Sequence, residues 1–354
     1  MRAESLEFLR AIQETPSPSG FEQPVQRIVR ERMKSVADEI RTDVHGNCIV
    51  ALNPTGSPRV MLAGHCDQIG LMVTYVNDEG FVHFESIGGV DAAVLPGSRL
   101  TVHTAKGTVE GVVGRKAIHL MKAEERDKAK VEMSDLWLDI GARNRADAEK
   151  RVAVGDPITF KLGMARLGRD LVASPGFDDK VGTFVVMEAL RLVARRKRTC
   201  ALFAVSTVQE ELGLRGARTS CFGVDPQVGI AVDVGHTTDY PGAEKKGLGD
   251  LALGKGPIIE LGPNINPTVG RLLLDTAGKK KIPHQRAAAP RATGTDANAI
   301  QISRAGVAAG LISVPNRYMH TPVEVVSLSD LDNSAKLLAE VCLQIDGKID
   351  FTPN

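Results

Sequence analysis

The sequence predicts an α/β fold, a mixed, mostly parallel sheet flanked by helices and interrupted by one inserted small β-barrel. Three observations lead there. Helix-like and strand-like apolar runs alternate at both ends of the 354-residue chain, a pattern that layers helices on a sheet. Between about Leu71 and Leu162 the texture changes to short β segments separated by turn residues. Where the apolar strands of the outer regions end, histidines and acidic pairs recur.

Residues 5–13 and 22–36 read as helices, the second with Val25, Ile28, Val29 and Met33 at helical spacing, and 59–63 reads as a buried strand. The middle segment is punctuated by Asn77-Asp78-Glu79-Gly80, Gly88-Gly89, Pro96-Gly97, Lys106-Gly107 and Gly155-Asp156-Pro157, which suits a small barrel or sandwich. An apolar helix is expected at 179–196, then strands at 200–207, 228–234 and 310–314. The expected organisation is a discontinuous α/β domain, 1–70 and 163–354, with the β unit 71–162 inserted.

With 44 basic and 43 acidic residues the net charge is +1, which argues against nucleic acid or an anionic membrane as partner. No uncharged apolar run approaches the roughly 18 residues that span a bilayer. Arg2, Glu4, Glu7 and Arg10 break up the apolar core that an export signal needs. Five scattered cysteines without CxxC spacing fit a reducing, cytoplasmic location. The basic run Arg195-Arg196-Lys197-Arg198 closes a helix, where it complements the dipole in solvent.

His65 follows Val60-Met61-Leu62-Ala63-Gly64, and His320 follows the run Leu311–Val314 across a short loop. Asp178-Asp179 precedes a helix, Glu210-Glu211 follows the strand 200–207, and Asp233 ends the strand 228–234. Ligands of open α/β sheets bind beyond the carboxyl ends of the strands, so these groups face one crevice. Carboxylates sharing a dry cleft repel and take up protons, and divalent cations reverse that cost. Nitrogen and carboxylate donors without clustered thiolates suit zinc, cobalt or manganese. Singly, each has a plainer reading: a hydrogen-bonded structural histidine, an N-cap at Asp178-Asp179, a solvated turn at Glu210-Glu211. The joint occurrence at strand ends favours the metal. Asp67 is placed to orient the His65 ring, and Cys66, facing away, to pack.

The strings Ala-Gly-His65-Cys-Asp67, Phe-Asp178-Asp179-Lys-Val-Gly, Gln-Glu210-Glu211-Leu-Gly, Val-Asp233-Val-Gly-His236, Gly-Thr-Asp296-Ala and Arg-Tyr-Met-His320-Thr-Pro resemble the tetrahedral metallo-aminopeptidases, a family that includes glutamyl and deblocking aminopeptidases and proteins formerly labelled cellulase M. The similarity runs along essentially the whole chain. It implies hydrolysis of N-terminal residues from peptide substrates with two divalent ions, zinc or cobalt. His65 and Asp233 would hold one ion, Glu211 and His320 the other, Asp178 both, with Glu210 as general base and Asp67 in support. Asp178 is preferred to Asp179 because the bridging acid of related peptidases is the first of the pair, often before a cis peptide bond. The resemblance further implies homo-oligomers, dimers formed through the β domain that assemble into a tetrahedral dodecamer. His119, in the insertion, is either near the site or structural. Gln68 departs from the acid that many relatives carry there, and Gly235 from a common threonine.

Two rival readings stand beside this one. An endoglucanase-type glycoside hydrolase also uses paired carboxylates, but aromatics make up only 4% of the chain and Trp137 is the single tryptophan. A catalytically silent peptide-binding scaffold would not need all six chemical residues. Lys279, Lys280, Lys281, Arg286 and Arg291 either favour acidic substrate side chains or form a solvated surface.

Overall fold

The computed structural model of the protein describes residues 1–122 and 130–353. The chain divides into two compact units, one made of Met1–Gln68, Met164–Met319 and Val323–Asn354, the other of Ile69–Gly163 with the short segment His320–Pro322. The first begins with helices Ala3–Glu14 and Gln23–Met33 and strands β1 (Glu39–Thr42), β2 (Cys48–Leu52) and β3 (Arg59–His65). The second holds β4 (Gly70–Val76), β5 (Val82–Ile87), β6 (Arg99–Thr104), β7 (Gly107–Arg115), β8 (Leu136–Asp139) and β9 (Pro157–Phe160). The chain then adds to the first unit β10 (Ala165–Leu167), β11 (Leu171–Ser174), β12 (Ala201–Thr207), β13 (Val228–His236), β14 (Ile258–Leu261), β15 (Gln285–Ala288), β16 (Ala308–Asn316) and β17 (Glu324–Ser327). Helices Phe177–Val193, Arg215–Val224, Pro267–Lys280, Asp296–Gln301 and Leu328–Cys342 separate or follow them.

Eight strands make one sheet in the order β1-β2-β12-β3-β13-β16-β14-β15. Its four central strands, β12, β3, β13 and β16, are mutually parallel, while β2 and β14 join them antiparallel. The sheet is therefore mixed. β3 reads as an unbroken apolar run because both faces are covered: Val60 and Leu62 enter one core, Met61 and Ala63 the other, as alternation of side chains along a strand requires. A further small sheet runs β10-β11-β17.

The helix Phe177–Val193 is buried at every residue from Phe177 to Leu190, as expected of a helix that is apolar nearly all round. It packs on β3, β12 and β13, and the helix Leu328–Cys342 packs on it. The approach to β3 is close: a Cβ at Gly64 would lie 2.3 Å from the Gly182 carbonyl carbon, so only glycine fits there. Behind this helix Arg198 donates to the carbonyls of Val193 (3.2 Å) and Ala194 (3.3 Å), which satisfies the open end of the helix. The helix Gln23–Met33 stops three residues short of its expected end, because Val36 and Ala37 donate back to Met33 and turn the chain towards β1.

In the second unit the strands close as β4-β5-β8-β7-β6-β9. Closure leaves no open edge to template aggregation. Leu71, Val73, Phe84, Leu100, Leu138 and Ile158 fill the interior. Among the described residues no helix is long and apolar enough to cross a membrane.

Candidate metal centre

The carboxyl ends of β3, β12 and β13 bring the chemistry together. His65 is the last residue of β3 and is 1% exposed. Its Nε2 lies 3.2 Å from Asp178 Oδ1, 3.7 Å from Glu210 Oε2 and 4.0 Å from Asp233 Oδ1. His65, Asp178 and Asp233 offer ligand atoms all within 4.8 Å of one another. Asp178 and Glu211 likewise offer carboxylate oxygens within 4.8 Å, so Asp178 is common to both groups.

The acidic pair at the start of the buried helix divides its labour. The Asp178–Asp179 peptide is cis, and Asp178 turns to His65. Asp179 instead accepts the His65 N–H (3.1 Å) and the Gly182 N–H (2.9 Å), which ties the helix start to the strand end. Asp178 is held in turn by its own N–H, donated to the buried Glu324 carboxylate at 2.8 Å.

Asp67 is fully buried and serves the neighbouring loop more than the ring. The His65 Nδ1 is 3.0 Å from the Asp67 carbonyl oxygen and 3.5 Å from its carboxylate. The carboxylate accepts the N–H groups of Glu210 (3.0 Å) and Glu211 (3.2 Å) and the Ser19 hydroxyl (2.7 Å). One side chain thus fixes the backbone of both glutamates. His320 belongs to the segment that groups with the barrel unit, where its Nδ1 is 3.1 Å from the Gly89 carbonyl oxygen. His119 lies in a short 3-10 turn of that unit and is exposed.

The electrostatics are those of crowded acids. Burial pushes the Glu210 carboxyl well up, with His65 pulling against it and Asp233, Asp296 and Glu211 adding to it. Burial likewise raises Asp179 and Asp233. Burial would lower His65, yet Glu210, Asp178 and Asp67 outweigh it and hold the imidazole well above its usual range. One imidazole cannot neutralise this many buried carboxylates, and a divalent cation does so while keeping them ionised. Nitrogen and oxygen donors of this kind fit such an ion.

Several supporting residues were not singled out by sequence pattern: Ser19, Glu22, Lys180, Thr207 and Glu324. Only Glu324 left a signal, as an acid inside the apolar run Val323–Val326. The Asp296 Oδ2 accepts the Thr207 hydroxyl at 2.6 Å, and burial raises this carboxyl to about 6. Lys180, drawn down to about 7 by burial, donates to Gln68 Oε1 (2.5 Å) and the Thr15 carbonyl (2.7 Å), so the amide at Gln68 serves a buried lysine. Gly235 has a steric reason: a Cβ there would meet Ser313 Cβ at 2.7 Å. Lys279, Lys280, Lys281, Arg286 and Arg291 are exposed, with Lys280 paired to Glu340 at 2.6 Å.

A family model described as M42 glutamyl aminopeptidase matches residues 46–337. A lysyl aminopeptidase of Pyrococcus furiosus is 38% identical over 98% of this chain and 99% of its own. The crystal structure of a TET aminopeptidase from the marine sediment archaeon Thaumarchaeota archaeon SCGC AB-539-E09 superposes with a TM-score of 0.93 at 34% identity, covering 98% of this chain and 97% of that one. The Pyrococcus horikoshii TET1 peptidase, described as assembling into a tetrahedron or a large octahedral shell, gives 0.85 at 31% identity over 96% and 100%.

Proposed function

The chain belongs to the M42 glutamyl aminopeptidase family and is a peptide-bond hydrolase of the exopeptidase class, and from this premise we propose that it removes single N-terminal residues from peptides with two divalent ions and a glutamate base. The observation that carries this reading is the meeting of His65, Asp178 and Asp233 within 4.8 Å, with Glu210 3.7 Å from the same imidazole nitrogen.

His65 and Asp233 would hold one ion, Glu211 and His320 the other, and Asp178 both, with zinc or cobalt suited to the donors. When bound, the ions supply Lewis acidity that makes water nucleophilic near neutral pH and polarises the scissile carbonyl. Glu210 takes the proton from the attacking water and returns it to the leaving amine. Asp67 keeps Glu210 and Glu211 in register by holding both of their backbone N–H groups, so base and ligand cannot drift apart.

The protein works in this account as a cytoplasmic homo-oligomer, dimers built through the barrel unit and assembled into a dodecamer. Support comes from the assembly described for the Pyrococcus horikoshii relative and from exposed apolar side chains on the barrel unit, among them Tyr75, Val112 and Leu120. Five free cysteines, all buried, fit a reducing compartment.

A panel of aminoacyl-nitroanilides assayed before and after chelation tests the activity. Cleavage that a chelator abolishes and added zinc or cobalt restores is the expected result. Polysaccharide hydrolysis that survives chelation would replace this reading with a glycosidase. Metal retention with no cleavage of any substrate would leave a silent scaffold.

A further inference from the structure

Beside the loop that bears Glu210, and wholly within the α/β unit, lies a cavity of about 280 Å³ lined by Glu22, Gln26, Arg30, His45, Val208 and Gln209. That is just under the usual lower bound for ligand cavities, about 300 Å³, and suits a very small molecule. Among the described residues its two charged groups lack partners of opposite charge. The Glu22 carboxylate accepts the N–H groups of Gly20 (2.8 Å) and Gln209 (3.3 Å), but no basic side chain pairs with it among the described residues. Arg30 reaches only the Thr42 hydroxyl, at 3.4 Å, and has no acidic partner among the described residues. An anion and a cation thus line one small space without pairing to each other.

Two more of the lining side chains carry polar atoms without partners. Gln26 is 2% exposed, and its amide nitrogen is committed to the carbonyls of Ser206 (2.9 Å) and Gly46 (3.2 Å), while its Oε1 is buried without a hydrogen-bond partner. His45 Nε2 is buried without one as well. Buried polar atoms are rarely left so, and a modest turn of the half-buried His45 would bring its ring to an occupant. Burial also pushes the Glu22 carboxyl up to about 7, the behaviour of an acid that lacks a cation.

We propose that this cavity binds a small zwitterion, a free α-amino acid, whose ammonium meets Glu22 and whose carboxylate meets Arg30, with the His45 ring turning to complete its hydrogen bonds. A simple cation would leave Arg30 unanswered and be repelled by it; a simple anion would face Glu22. Charge-assisted hydrogen bonds at both ends satisfy the two together. The position gives occupancy a consequence. Glu22 also holds Gln209, which has a φ of +53° and directly precedes Glu210, so a ligand that engages the Glu22 carboxylate acts on the backbone that positions the base. An aminopeptidase releases free amino acids, so the occupant would be its own product class and would lower kcat. That coupling rests on the proposed function, whereas the binding itself does not.

Calorimetric titration of L-alanine into the metal-loaded protein tests the site. Saturable binding is expected, weakened about tenfold by either Arg30→Met or His45→Leu, the loss of one hydrogen bond to a charged group. Two variants on different elements guard against one misfolding. Alaninamide, which lacks the carboxylate, and N-acetylalanine, which lacks the ammonium, should both bind at least about tenfold more weakly by the same reasoning. No saturable binding, or binding that both variants leave unchanged and that therefore belongs to the metal centre, overturns the proposal. A protein that binds L-alanine in this way but cleaves no peptide refutes the aminopeptidase mechanism and leaves the site standing. One that cleaves peptides without such binding refutes the site alone.

Discussion

The two units bury different things. In the barrel every acidic residue among those described is exposed or half-exposed, and Thr159 is the one buried polar side chain of the segment Ile69–Gly163 among them. In the α/β unit Glu22, Asp67, Asp178, Asp179, Glu210, Asp233, Asp296 and Glu324 are all buried. Burying a carboxylate costs several kcal/mol unless it is paired or bound to metal. A unit that spends nothing on buried charge is built for shape, and one that gathers most of it around the carboxyl ends of β3, β12 and β13 is built for chemistry.

The largest test of that contrast is Glu210→Gln. It should lower kcat by about 10²- to 10⁴-fold, the usual worth of a general base, while bound metal measured by atomic emission stays at the wild-type level. An unchanged kcat removes Glu210 from the chemistry. Next comes Asp67→Asn, which weakens the hold on two backbone N–H groups at once. A loss of about 10- to 100-fold in activity or metal affinity is expected from such supporting residues, read from kcat and from zinc titrations.

Metal removal sharpens the contrast through pH. Without a cation the Glu210, Asp179 and Asp233 carboxyls sit above their ordinary values, so the folded apoprotein holds protons that the unfolded chain gives up above pH about 4. Apoprotein stability is therefore fullest below that range and declines as pH rises towards the raised values. Thermal melts from pH 5 to 8 should show the apoprotein losing stability with pH. Zinc binding at pH 7 should release protons, seen as a dependence of calorimetric heat on buffer ionisation enthalpy. A pH-independent apoprotein would mean that the acids are not crowded as described.

In the barrel the same kind of change should touch stability alone. Leu138→Ala removes a fully buried side chain and should cost about 2–5 kcal/mol, measured by denaturant melts, with metal content unchanged. Smallest of all, Glu85→Gln replaces an exposed barrel acid and should leave both activity and melting temperature where they were.

Much of this contrast was legible in the sequence because its causes are local. The apolar run Val60–Ala63 signals a strand covered on both faces, and the turn residues at Asn77–Gly80 and Lys106–Gly107 close hairpins of the barrel. The helix expected at 179–196, found at Phe177–Val193, was readable from its length and largely apolar composition. Edge strands were not. β1 (Glu-Ile-Arg-Thr) and β15 (Gln-Arg-Ala-Ala) are half exposed and too short for a period to register. At the site, residue types at strand ends announced the metal-binding candidates, but the division of labour between Asp178 and Asp179 depends on backbone geometry. The grip of Asp67 on Glu210 and Glu211, and of Glu324 on Asp178, joins segments 143 to 146 positions apart, which no local pattern records.

The central claim is that one aspartate, Asp178, serves two ions at once. Anomalous diffraction at the zinc edge, from crystals grown with excess zinc, measures this directly. Two peaks per subunit are expected, one beside His65 and Asp233 and one beside Glu211, with Asp178 touching both. A single peak, or peaks that leave Asp178 without metal, would contradict the account.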